Sequence, residues 1–244
     1  MSTSAHARDI NFVKVGAAAA FLLAATLVAG FATFGALTEA EIPRSETQEF
    51  LDDVMDDKNL LIAIVWLFAF SSLLMVPYFL GLYYGLRRWG EDYVRLAVLF
   101  GVVAAIFQAL SLAPAAAVAA YIVPAWADAS DEASRAIVLS DAKILLWTSD
   151  AMTAMFSVAI AIATIAASLV MLRIGRALWL VLGWIGIASG VMGIVAAFDL
   201  AEESLEIAFF ISFILVIIWI VGVGVGLGWY LPTEEEQPET AAHH

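Results

Sequence analysis

Cysteine is absent from this chain. That excludes disulfides, zinc–thiolate sites, iron–sulfur clusters and cysteine nucleophiles together, and it leaves the redox compartment undetermined. Histidine is confined to the termini, at His6, His243 and His244. The apolar segments therefore offer no bis-histidine haem ligation, no histidine metal site and no serine–histidine pair, and no cofactor is expected. The terminal His243–His244 pair resembles a truncated purification tag and carries no functional argument. Lysine is scarce as well: Lys14, Lys58 and Lys143 stand against eight arginines. The scarcity with most consequence is that of charge. Only 14% of the residues are charged, against about 25% in a soluble domain.

What is present is apolar: 63% of the 244 residues are hydrophobic, which suits a lipid solvent and one compact membrane domain. The formal charge of −13 disfavours nucleic acid, whose phosphates repel such a surface. Acidic, lysine-poor surfaces fit a halophilic source, and an alanine-rich chain from a high-GC bacterium looks similar.

In chain order, residues 1–11 are polar and the first apolar run is about 12–37. It is too long for a signal peptide and reads as a first transmembrane helix. Residues 38–58 are dense in acids. Ser45 and Gln48 have capping-box spacing after Pro43, and Phe50, Leu51, Val54 and Met55 recur with helical period. The pattern predicts a short amphipathic helix lying on the membrane surface, with a solvated loop as the alternative. Further spans are expected at about 59–86, with a kink at Pro77, then 96–123, 143–172, 177–200 and 205–231. Ala133, Ile137 and Val138 can line a short helix in the loop 126–141. Residues 173–176 are short enough only for a turn, and the acidic tail 232–244 reads as disordered.

The fold class expected is all-α: a polytopic six-helix membrane bundle with no internal repeat. Arg8, Lys14, Arg87, Arg88, Arg95, Arg173 and Arg176 fall on one side, and Arg44, Lys58, Arg135 and Lys143 on the other. The positive-inside rule then places both termini in the cytoplasm (N-in, C-in) at the cytoplasmic membrane. The three outer loops carry −6, −2 and −4 in chain order. Trp89, Tyr93, Trp179, Trp229 and Tyr230 are expected at the inner interface, and Tyr121, Trp126 and Trp147 at the outer one.

Asp150 is the acid set furthest into any apolar segment, and an ionisable group in a transmembrane helix is expensive and so a functional candidate. The 20 residues 153–172 already span about 30 Å, so Asp150 sits at the outer edge of the hydrocarbon. The bland alternative is an interfacial aspartate favoured by the helix dipole. Lys143 shares its face but lies about 10 Å away along the helix. Thr153 has the spacing to hydrogen-bond the carboxylate. With Asp199, Glu202, Glu203 and Glu206, these residues form a candidate ion or proton site under a cation-attracting mouth, or simply a solvated acidic rim.

Gln108 is the candidate buried polar group, more readily an interhelical hydrogen bond than a ligand contact. Gly183, Gly186, Gly190 and Gly193 form one small-residue stripe, and Gly222, Gly224, Gly226 and Gly228 another. They suit helix packing or dimerisation. Enzyme templates fail: Glu202–Glu203 has no partner histidines, and a membrane aspartyl protease needs a second intramembrane aspartate.

Several strings carry a resemblance. They are the opening span Val15–Gly35, Asn59-Leu-Leu-Ile-Ala, Leu82-Tyr-Tyr-Gly-Leu-Arg-Arg, Arg95-Leu-Ala-Val and the segment Arg173–Gly186. Over about residues 12–200 the chain resembles an uncharacterised six-span bacterial and archaeal membrane family, a DUF4386-like domain of unknown function. The resemblance implies the fold and carries no activity; the very acidic outer loops depart from it. The function expected is a non-enzymatic binding or accessory subunit, with lipid, a second copy or a membrane-protein partner on its glycine faces. The alternative is a small proton or cation transporter using Asp150.

Overall fold

The computed structural model describes residues 3–37, 47–198 and 206–230, and all regular structure among them is helical. The helices are α1 (Thr3–Leu37), α2 (Thr47–Asp56), α3 (Lys58–Ala117), α4 (Val123–Asp128), α5 (Glu132–Ile174), α6 (Ala177–Ala196) and α7 (Glu206–Trp229). A π-helical turn, Val118–Ile122, joins α3 to α4 one turn beyond Pro114. Five helical stretches are long and apolar enough to cross a membrane: Ile10–Phe34, Lys58–Asp128, Glu132–Ile174, Ala177–Ala196 and Ile207–Trp229. The tail 232–244, the Pro43–Ser45 segment, Asp199, Glu202 and Glu203 lie outside the described residues.

The α3 stretch is a hairpin rather than a rod. Its helical dihedrals break at Gly90 (φ 169°, ψ 73°), not at Pro77, which sits within helical backbone. A Cβ on Gly90 would stand 3.2 Å from both Val170 and Arg173 of α5, so the bend fits closely against that helix. The limbs on either side run antiparallel. Gly101 meets Phe79, and Gln108 meets Ser71, each pair almost equidistant in sequence from Gly90.

The other neighbours are antiparallel too. Phe12 stacks on Tyr84 and Phe31 packs on Phe68, pairing α1 with the first limb of α3. Ser111 meets Ser149 across the second limb and α5. Gly183 and Gly190 of α6 meet Leu172 and Ile165 of α5. Ser189 and Ser212 each donate to the other's carbonyl, clamping α6 to α7 at 3.2 and 3.1 Å. Gly224 against Ala20 closes the ring from α7 to α1.

One end of this ring is basic and aromatic: Arg173 lies over Tyr93, Arg88 over Trp89, and Arg87 over Tyr84. Gly175, left-handed at φ 73°, ends α5 there and lets the chain reverse into α6. Trp179, expected at the inner interface, lies in the first turn of α6 at this end, buried against Gly226 with its Nε1 donating to the Tyr230 carbonyl.

At the other end the limbs are unequal. Gly193, near the end of α6, lies level with Ser157, whereas α5 continues a further 25 residues to Glu132. The expected short helix around Ala133 is thus the first turns of α5, capped by Asp131, whose carboxylate accepts from the Ser134 backbone and hydroxyl at 2.8 Å. The long limbs carry a second apolar core. Leu51, Val54, Leu61, Ile64, Val118, Val123, Trp126 and Ala142 pack together there, separate from the main core of the ring. The amphipathic α2 forms as expected, but Leu51 and Val54 of its apolar face are buried by this cap and Phe50 is partly buried there, while Met55 stays exposed. Trp126, expected at the outer interface, is buried there too and donates to Asp52 Oδ1 at 2.8 Å.

Candidate functional site

Each of the three long limbs passes from the main core to the cap through polar residues at one level. On the first limb of α3 these are Ser71 and Ser72, between Ile64 and Met75. On the second limb they are Gln108 and Ser111, between Ala105 and Val118. On α5 the same interval, between Ala142 and Ala159, holds Ser149, Asp150, Thr153 and Ser157. A polar layer thus separates two apolar cores.

Hydrogen bonds tie the layer together. Gln108 Nε2 donates to Ser71 Oγ at 3.0 Å, and Ser71 donates onward to the Phe68 carbonyl at 2.8 Å. Ser111 donates to the Gln108 carbonyl at 2.8 Å, and Ser149 of α5 donates to the Ser111 carbonyl at 2.9 Å. These bonds leave Gln108 Oε1 buried with no hydrogen-bond partner among the described residues. An unpaired buried acceptor costs about 1–3 kcal/mol.

The depth follows from helical rise. Ser71 and Gln108 are 19 and 18 residues from Gly90, which places the layer about 27–28 Å from the basic end. With a hydrocarbon core of about 30 Å, the layer lies near the boundary opposite that end. Asp150 is half-buried beside Ser149 at this level.

The residues singled out in the sequence are distributed as follows. Asp150, Thr153 and Gln108 lie at the layer. Thr153 donates to the Ser149 carbonyl of its own helix at 3.0 Å, not to the Asp150 carboxylate. Lys143 is half-buried two turns further along α5, among cap residues. Glu206 opens α7. Asp199, Glu202 and Glu203 are outside the described residues, so the acidic mouth is not part of the described site. Among the described residues no group of three or more His, Asp or Glu side chains could hold a metal ion.

The glycine stripes face the interior of this single chain. Gly183 meets Leu172, and Gly186 meets Ser168 and Trp219. Gly190 meets Ile165, Gly193 meets Ser212, Gly222 meets Leu182, and Gly226 meets Trp179.

Sequence reasoning missed Ser71, Ser111 and Ser149, and the approach of Gly16 to Gly81, where helix backbones touch. One signal was available. Taking Gly90 as a hinge brings Ser71 opposite Gln108, because the two are nearly equidistant from it.

Helices of this length and apolarity, in an antiparallel ring with a polar level near one end, define an α-helical membrane protein. More specifically, the chain belongs to the DUF4386 family, a domain of unknown function, whose family model matches residues 17–230. No curated protein and no solved structure matches the chain.

Proposed function

We propose that the protein is a non-enzymatic, six-span, multi-pass protein of the cytoplasmic membrane that acts by binding at its outer boundary. In this reading the polar layer around Gln108 and Asp150 is the recognition site. The observation that carries it is the buried, unpaired Gln108 Oε1 in a layer that interrupts an otherwise apolar interior. Polar groups at membrane depth are expensive and are retained for a use. The glycine faces that would receive a second copy are occupied by the chain's own side chains, so a ligand at the layer is favoured over glycine-mediated dimerisation.

The six-span count is supported by the Gly90 bend, which divides α3 into two antiparallel limbs of bilayer length. The N-in, C-in orientation is supported by the arginines and aromatic rings gathered at one end. A membrane-impermeant maleimide applied to intact cells tests it. A cysteine replacing Gln48 should label, and one replacing the exposed Asp92 should not; the opposite pattern overturns the orientation.

Native mass spectrometry from mild detergent tests binding. The wild type should retain a non-protein adduct or a second subunit that Gln108→Leu loses. A bare monomer in both would refute the reading.

The second reading, proton or cation transport, is favoured by the position of Asp150 in the same turn as Ser149, which bonds into the layer. Equal proton and sodium flux into liposomes for wild type and Asp150→Asn would eliminate it.

A further inference from the structure

A second set of polar side chains lies deeper in the ring and is separate from the boundary layer. Tyr78 of α3, Thr164 and Ser168 of α5, and Trp219 of α7 are all at least 98% buried. The Tyr78 hydroxyl, Thr164 Oγ1, Ser168 Oγ and Trp219 Nε1 have no hydrogen-bond partner among the described residues. The two α5 hydroxyls contrast with six others in the bundle. Thr26, Thr33, Ser71, Ser72, Thr153 and Ser157 each donate to a carbonyl three or four residues back on their own helix. Thr164 and Ser168 forgo that ready acceptor.

Two of these groups, Ser168 and Trp219, meet at one glycine, and Tyr78 and Thr164 are their neighbours. A Cβ on Gly186 of α6 would collide with Ser168 Oγ and come within 2.5 Å of Trp219 Nε1, so both polar atoms flank one glycine. The Tyr78 ring meets the Trp219 indole edge to face, with centroids 6.1 Å apart. Thr164 lies one turn from Ser168 on the same buried face of α5. Tyr78 is 12 residues from Gly90 and Trp219 is 10 from Trp229. Helical rise places them about 15–18 Å from the basic end, close to the bilayer midplane. Water in the lipid cannot satisfy groups at that depth, and four unsatisfied groups together cost several kcal/mol.

We propose that this cluster is an internal hydration site, in which ordered water at mid-depth bridges Tyr78, Thr164, Ser168 and Trp219. The chemistry selects the guest. The indole N–H only donates, so the guest must present an acceptor oxygen to it. The three hydroxyls can each donate and accept, which suits a guest that does both. All four groups are neutral, and an indole N–H directed at the site disfavours a cation. Water meets these requirements, and buried water characteristically makes about three such bonds. The site stands independently of the proposed recognition layer.

Hydroxyl-radical footprinting of the full-length protein in mild detergent, with radicals generated from water in place, reads ordered internal water directly. Tyr78 and Trp219 should be modified despite their burial. Trp179 and Phe79, equally buried, serve as internal controls; Trp179 already has the Tyr230 carbonyl as its partner. Modification of Tyr78 and Trp219 no greater than that of Trp179 and Phe79 overturns the proposal, and this comparison needs no variant. In the double variant Thr164→Val, Ser168→Ala, modification at Tyr78 and Trp219 should drop several-fold while Trp179 stays protected. An undiminished signal overturns the four-group site. Excess glycerol scavenges radicals formed in bulk solvent, so the wild-type signal should persist in it; its loss would show that the radicals do not come from internal water and overturn the proposal.

Discussion

Replacing Gly81 by alanine should force α1 away from the first limb of α3. A Cβ at Gly81 would collide with Gly16 Cα and stand 3.2 Å from Gly16 N and 3.3 Å from the Phe12 carbonyl oxygen. These are backbone atoms, so no rotamer change can absorb the intrusion. Alanine gains about 1 kcal/mol of helix propensity over glycine. Overpacking costs about 1–3 kcal/mol and occasionally more. Separating the helices also loosens the Phe12–Tyr84 stack and the Phe31–Phe68 edge contact, now at 4.6 and 5.4 Å. Such aromatic pairs contribute about 0.5–1.5 kcal/mol each. The balance is a destabilisation of about 2 kcal/mol, or roughly 4–8 °C in Tm for a chain of this size. Thermal unfolding in mild detergent, followed by intrinsic fluorescence, measures it. Gly228→Ala is the control, because its Cβ would meet only Ala17 Cβ at 3.9 Å; it should leave Tm unchanged or slightly raised. Gly16→Ala shares the same contact, so its penalty should not add to that of Gly81→Ala. A Gly81→Ala protein as stable as Gly228→Ala would refute the backbone-contact reasoning.

Trp126→Phe removes the 2.8 Å bond to Asp52 Oδ1 that ties α2 to the cap. Hydrogen exchange over Thr47–Asp56 should accelerate while the ring helices keep their protection; unchanged exchange in α2 would show that apolar contacts alone hold it. The Asp131 carboxyl is held below the usual carboxylate range by the Ser134 backbone N–H, and then by the Ser134 hydroxyl. A depressed folded pKa adds stability above the unfolded pKa, and that stability is lost as pH falls through the folded value. After correction for intrinsic rates, the amides at the start of α5 should lose protection in acid in the wild type. In Asp131→Ala they should be poorly protected at every pH, and acid-independent protection in the wild type would contradict the cap.

The helices were legible because lipid leaves the backbone no other way to satisfy its hydrogen bonds, and long apolar runs announce it. The end of α5 was legible from Arg173-Ile-Gly-Arg176, where Gly175 supplies the left-handed turn. The start of α5 was not. Asp131 and Glu132 begin a helix whose first turns carry Asp141 and Lys143, so charge made it read as a loop. What holds those turns is the cap core, assembled from residues 51–64, 118–126 and 142, which no local window contains. Asp150 was placed at the boundary by counting residues from Leu172, but the serines around it were not singled out. Serine and glycine are common in apolar helices, and their roles depend on which limb faces them.

Composition and periodicity therefore determined the solvent, the helical class and the asymmetry of charge between the two ends, because each is a property of single segments. Tertiary structure alone decided that Gly16 and Gly81 touch, and that Gln108 and Trp219 carry unpaired polar atoms in the interior. Those facts depend on the register between antiparallel limbs. Register is set by interdigitating side chains from distant parts of the chain, and a shift of one residue turns a helix face by about 100°.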